Sequence, residues 1–160
     1  MLKNSPPHAG TKASRRTVLA TAAALGASVV LRPALAAAGD LEVAIATYTS
    51  RAPVTAGKVH IDIAELVDNG NVVPITVTVA SPMTAADHVK SIAIFNEKNP
   101  QRDVARFTLG PRAGKASVTT RMRLAATQKL VAVAQMSDGS YWSHSVDVVV
   151  TVVACVEGEA

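Results

Sequence analysis

The spacing of apolar residues changes from helical to period two near residue 58. Before that point Leu41, Ala44, Ile45 and Tyr48 recur at helical intervals. Asp40 is placed to cap them, so a short helix is predicted over 40–49. Residues 51–57 contain Pro53 and Gly57 and read as a linker. In 58–63, Val59, Ile61 and Ile63 share one face, with Lys58, His60 and Asp62 on the other. In 72–80, Val73, Ile75, Val77 and Val79 oppose Pro74, Thr76 and Thr78. Further strands are predicted over 89–95, 103–109, 116–124, 130–136 and 141–153. In the fourth, Ala105, Phe107 and Leu109 point inward. In the fifth, Val118, Thr120, Met122 and Leu124 lie opposite Arg121 and Arg123. Asp68-Asn69-Gly70-Asn71, Ser81-Pro82-Met83, Glu97-Lys98-Asn99-Pro100, Gly110-Pro111 and Ser137-Asp138-Gly139 punctuate the strands as turns.

Short strands at this regular spacing predict an all-β chain. The expected architecture is an immunoglobulin-like antiparallel β-sandwich of about seven strands, with a short N-terminal helix. A small barrel is the alternative. Pro74 has no amide hydrogen, so its strand lies at an edge or has a locally open side. The last predicted strand carries valine on both faces: Val146, Val148, Val150 and Val152 on one, Val149 and Val153 on the other. Either the second face meets another protein, or the N-terminal helix covers it.

Charge divides the chain. Lys3, Lys12, Arg15, Arg16 and Arg32 precede residue 37 and no acid does, which leaves 11 basic residues against 12 acidic ones in the remainder. The net charge of +4 therefore belongs to the leader and gives no support to nucleic-acid binding. With 3% aromatic residues, too few rings exist to stack bases or sugars. Ser14-Arg15-Arg16-Thr17-Val18-Leu19 reads as a twin-arginine export signal, with Arg15 and Arg16 as its motif. An Ala-rich run follows to Leu31, and Ala34-Leu35-Ala36 offers a cleavage site. The run is shorter than the roughly 18 apolar residues of a membrane span; an uncleaved signal anchor is the alternative. The expected organisation is a signal peptide over 1–36 with cleavage near 36–38, helix and linker over 37–57, sandwich over 58–153 and an arm over 154–160. A periplasmic location follows, with no membrane attachment after cleavage. Twin-arginine export carries folded cargo, often with a cofactor or a partner. His60, His88 and His144 show no metal-ligand spacing and no phosphate loop is present, so no cofactor or metal is expected and a folded partner is.

The one cysteine, Cys155, lies three residues beyond Val152, a reach of about 10 Å. A single thiol in an exported chain is left for intermolecular chemistry. It can equally be a buried small hydrophobe, an adventitious cross-link or a stray surface thiol. Glu157 and Glu159 disfavour the thiolate, so activation would come from another protein's site, which suits a carrier better than an enzyme. Arg121 and Arg123 are candidates for a sulfur oxyanion or for plain solubility. Tyr141 and Trp142 are candidates for a partner anchor or for edge packing. His144 is too far along an extended strand to act as base for the thiol.

Glu65 with Asp68-Asn69-Gly70 and Val72-Val73-Pro74-Ile75, then Ser81-Pro82-Met83, Glu97-Lys98-Asn99-Pro100, Thr120-Arg121-Met122-Arg123-Leu124, Thr127-Gln128, Ala132-Val133-Ala134 and Ser137-Asp138-Gly139 resemble, in order, the SoxY family of thiosulfate-oxidation carriers. The resemblance spans roughly 58–155 and the leader. It implies an immunoglobulin-like fold and a heterodimer with SoxZ, which travels without an export signal of its own. It also implies a covalent carrier, itself no enzyme, whose cysteine holds thiosulfate-derived groups. A haem enzyme, SoxAX, would load it, a hydrolase, SoxB, would release sulfate, and SoxCD would oxidise the remaining sulfur. The covalent attachment site would be Cys155. The family's arm is Gly-Gly-Cys-Gly-Gly, whereas here Val153, Ala154, Val156, Glu157 and Gly158 surround the cysteine, a stiffer and bulkier arm. That departure implies altered partner channels, another sulfur compound, or a chain that no longer carries sulfur. A non-catalytic binding module whose Cys155 only links chains is the competing function. An enzyme is the weakest reading, since no acid pair, triad or metal set is present.

Overall fold

In the computed structural model, residues 39–152 are described, and the alternating segments form a two-layered sandwich. A single helix, α1 (Asp40–Tyr48), precedes nine strands. These are β1 (Val54–Ala56), β2 (Val59–Asp62), β3 (Leu66–Val67), β4 (Val73–Val79), β5 (Val89–Asn96), β6 (Asp103–Thr108), β7 (Ser117–Met122), β8 (Gln128–Met136) and β9 (Tyr141–Val150). One sheet has the order β2-β4-β7; the other runs β1-β9-β8-β5-β6, with β3 also on β9. The seven predicted strands are all present, within a few residues of the expected bounds, in an immunoglobulin-like fold.

Two strands were missed. The linker expected over 51–57 contains β1, and β3 is too short to show a period. Both pair in parallel with β9, β1 along Tyr141–Ser143 and β3 along Leu66↔Val149 and Val67↔Val150. The expectation of a wholly antiparallel sandwich is corrected to that extent. The cause is the free edge of β9, whose unpaired backbone groups the two passing segments satisfy at its two ends. Asp40 is likewise not the helix cap. Gly39 occupies that position without a side-chain bond, and Asp40 stands in the first turn, 3.0 Å from the guanidinium of Arg102. A carboxylate there suits the helix dipole.

Pro74 lies in the middle strand of its sheet, yet with an open flank. β4 pairs with β7 along its length, from Val73↔Met122 onward, while β2 reaches only as far as Thr76. The inner face of β4 (Val73, Ile75, Val77, Val79) meets Ile92, Ile94, Leu130, Ala132 and Val148 across the core. Each fully buried side chain of this size contributes about 1.5–3 kcal/mol.

A second, smaller cluster forms on the outer face of the larger sheet. There α1 lays Leu41 over Ala93, Phe95, Val133 and Tyr141. Tyr48 tilts against Phe95 at 5.7 Å and Tyr141 at 5.9 Å, and its hydroxyl meets Ser91 Oγ at 2.7 Å. The helix thus covers the Tyr141 end of β9. It leaves the other end open, where Val149 remains 48% exposed.

Candidate functional site

β9 is the strand that leads into the cysteine arm, so its last residues set where the arm starts. Val146, Val148 and Val150 point into the core, which fixes the register. At the end of the strand and just past it the backbone stays bonded. Val149 N–H donates to Glu65 O (2.7 Å), Thr151 N–H to Val67 O (3.0 Å) and Val152 N–H to Asp68 O (3.2 Å). Gly70 N–H donates back to Val152 O (2.8 Å). Thr151 Oγ1 donates to Asp68 O at 3.0 Å, and Val150 N–H is held by Thr127 Oγ1 at 3.0 Å. The chain is therefore pinned through Val152.

The turns that do the pinning are themselves tied together. Gly70 O accepts from Leu124 N–H (2.8 Å), joining the Asp68-Asn69-Gly70 turn to the β7–β8 loop. Asn99 Oδ1 accepts from Ala125 N–H (3.0 Å) and Gln128 Nε2 (2.8 Å), while its Nδ2 donates to Arg123 O (2.8 Å). Lys98 N–H donates to Gln128 Oε1 at 2.8 Å. Gln128 and Asn96 are buried, and among the described residues no buried side-chain polar atom lacks a partner. Three separate sequence motifs thus meet at the end of the sandwich from which the arm departs.

That end is also apolar on its outside. Leu66 and Val149 are Cα partners and both face solvent, Val72 follows Gly70 by two residues, and Val152 is the last pinned residue. All four are between 48 and 64% exposed. Among the described residues the one other exposed large hydrophobic is Val43, on α1.

Cys155, with Val153, Ala154, Val156, Glu157 and Gly158, lies outside the described residues, as do Arg15 and Arg16. The remaining candidates are dispersed. His144 Nδ1 accepts from Ile61 N–H at 3.2 Å beside the His60 ring, and six residues of strand, roughly 20 Å, separate it from Val150. Tyr141 is buried under α1, and Trp142 packs at the edge with Lys58 Nζ 4.6 Å from its ring centre. Arg121 and Arg123 are exposed, and neither pairs with a carboxylate among the described residues. No three His, Cys, Asp or Glu side chains gather there as a metal site, and no described helix is long and apolar enough to cross a membrane. Two groups away from the arm have displaced acidities. Burial, partly offset by the Ser91 bond, holds Tyr48 above its ordinary value. Hydrogen bonds from the Ser140 side chain and backbone hold Asp138 below its own.

The model of the sulfur oxidation protein SoxY matches residues 45–155. The chain belongs to the SoxY family. A solved SoxY, the sulfur carrier protein of Chlorobium limicola f thiosulfatophilum, is 34% identical. That match covers 70% of this chain and 96% of the other, with a TM-score of 0.60. The Ignicoccus hospitalis superoxide reductase (neelaredoxin) is 20% identical, covering 59% of this chain and 80% of that one, with a TM-score of 0.53. The superoxide reductase of Nanoarchaeum equitans is 15% identical, covering 60% and 100%, with a TM-score of 0.51. Those two likenesses show the fold alone. No curated protein matches. As a SoxY family member the chain has a carrier role in sulfur oxidation. The sequence singled out the Glu97–Pro100 turn and Thr127-Gln128 as family marks without a role; their hydrogen bonds show that they build the base of the arm. Of the exposed apolar group at that base, the sequence pattern offered Val149 as a covered face, but not Leu66, whose two-residue strand has no readable period, nor Val72, which stands just ahead of β4.

Proposed function

We propose that this SoxY protein carries thiosulfate-derived sulfur covalently on Cys155 and is acted on by other enzymes rather than turning over substrate itself. The observation that supports the reading is the pinned exit of β9. The body is hydrogen-bonded through Val152, and Cys155 follows three residues later, within about 10 Å. A rigid body with a thiol on a short tether suits chemistry done elsewhere. In the loading step the Cys155 thiol and thiosulfate form a sulfur–sulfur bond, releasing one proton and two electrons to a haem-type partner such as SoxAX. Water then cleaves the terminal sulfur–sulfonate bond on a SoxB-like hydrolase. Sulfate and two protons leave, and a persulfide anion stays on Cys155 for a SoxCD-like enzyme to oxidise. The protein works as a heterodimer with a SoxZ-like subunit, in the periplasm, after export directed by Arg15 and Arg16.

Intact mass of the purified heterodimer after incubation with thiosulfate and the loading enzyme tests this. The expected result is a mass gain of one thiosulfate group on the native chain and none on Cys155→Ser. Disulfide-linked chains with no sulfur adduct would instead assign Cys155 to cross-linking. Replacing Val153, Ala154, Val156 and Glu157 by glycine should speed loading if arm stiffness limits it.

A further inference from the structure

Among the described residues, four of the five exposed large hydrophobic side chains lie near the end of β9 from which the chain continues toward Cys155. Leu66, Val72, Val149 and Val152 are each about half to two-thirds exposed, while the outer face at the Tyr141 end of β9 is covered by α1. They are held in place. Leu66 and Val149 are registered by the β3–β9 pairing, and Val152 is fixed on both sides by Asp68 O and Gly70 N–H. From Val152 the sulfur of Cys155 can travel about 10 Å. An enzyme that takes this sulfur into a buried site must bring its surface close to the four residues, because three residues reach no further than about 10 Å.

We propose, resting on the carrier reading above, that Leu66, Val72, Val149 and Val152 form a docking collar. Its occupant is the apolar rim around the entrance of the enzyme that loads Cys155. Exposed aliphatic groups of this kind add affinity without orientation-specific bonds, which fits an encounter that must form and part in each cycle. The collar and the arm divide the work. The collar sets how often a productive encounter forms, and the arm places the sulfur within it. The stiffer, glycine-poor arm makes the collar more important, because Val156 and Glu157 allow less searching once the proteins meet.

The test uses the full heterodimer with Leu66→Thr and Val149→Thr together. Threonine keeps the β-branched shape at 149, suits a strand position at 66, and both sites are exposed, so the thermal midpoint should stay the same. Loading by the purified thiosulfate-conjugating enzyme is followed by intact mass over a range of carrier concentrations, with iodoacetamide labelling of Cys155 as the reference. The expected result is a KM for the carrier raised about tenfold at nearly constant kcat, with iodoacetamide labelling unchanged. An unchanged KM overturns the collar and leaves the carrier reading intact. Dissociation of the heterodimer also overturns it, by giving the four residues to the SoxZ-like subunit. A native protein that is never loaded sinks the carrier reading, and the collar with it.

Discussion

The two ends of β9 belong to one strand and are held in opposite ways. At the Tyr141 end the outer face is closed. Helix α1 lies over Phe95, Val133 and Tyr141, aromatic rings meet at 5.7 and 5.9 Å, and strand β1 covers the edge. At the Val150 end the outer face is open, and the chain is held by backbone hydrogen bonds and two threonines. One end is stabilised by burying surface, and the other is positioned by directional bonds that leave apolar surface in water. The contrast shows how one strand can anchor a fold and present a tether. Packing secures one half, whereas hydrogen bonding fixes the half that remains exposed.

Stability measurements test this contrast. Phe95→Ala removes a fully buried ring from the closed end, with an expected loss of about 3–5 kcal/mol in urea unfolding. A loss below 1 kcal/mol would mean that the helix does not secure that end. Thr127→Val leaves the Val150 amide without its acceptor, with an expected cost of about 1–3 kcal/mol. Amide exchange should quicken at Val150 and Thr151 while Ala93 stays protected; uniform quickening would show that the open end has no separate bonding unit.

The closed end should also respond to alkali. Folding holds the Tyr48 phenol in its neutral form, with burial as the main cause. That contribution is fully present below the ordinary tyrosine value, near 10, and is lost as pH rises through the higher folded value. Native Tyr48 should therefore lose more stability between neutral pH and strongly alkaline pH than Tyr48→Phe does. Equal slopes would remove the phenol from the account. The smallest effect is expected at the exposed β8–β9 turn, where Ser140 holds Asp138 as a carboxylate. Stability from this group is present above the ordinary aspartate value and is lost as pH falls through the lower folded one. Asp138→Asn should flatten the acid limb of a thermal-melt profile slightly, and an unchanged limb would exclude the turn from acid unfolding.

Much of this was legible residue by residue. The alternation of Val73, Ile75, Val77 and Val79 announced a strand with one dry face, and Pro74 announced an open flank; both are present. The valines on both faces of β9 allow helix cover or partner contact, and helix cover does not extend to them. The helix covers Tyr141 and leaves Val149 open. β1 and β3 were illegible because three- and two-residue strands carry no period, and what makes them strands is the edge of β9 beside them. The base of the arm was illegible for a related reason. Its partners, such as Thr127 with Val150 or Thr151 with Asp68, lie 23 and 83 residues apart.

Local pattern is enough to say which residues of β4 and of β9 up to Val150 face inward, because a two-residue period assigns every second side chain to one face whatever the strand's neighbours are. The sequence by itself also put Cys155 three residues beyond Val152. Only the tertiary structure decided which stretches outside the core stay bare and where the tether begins. Those outcomes depend on which distant turns come together around one strand end, and local pattern holds no information about that meeting.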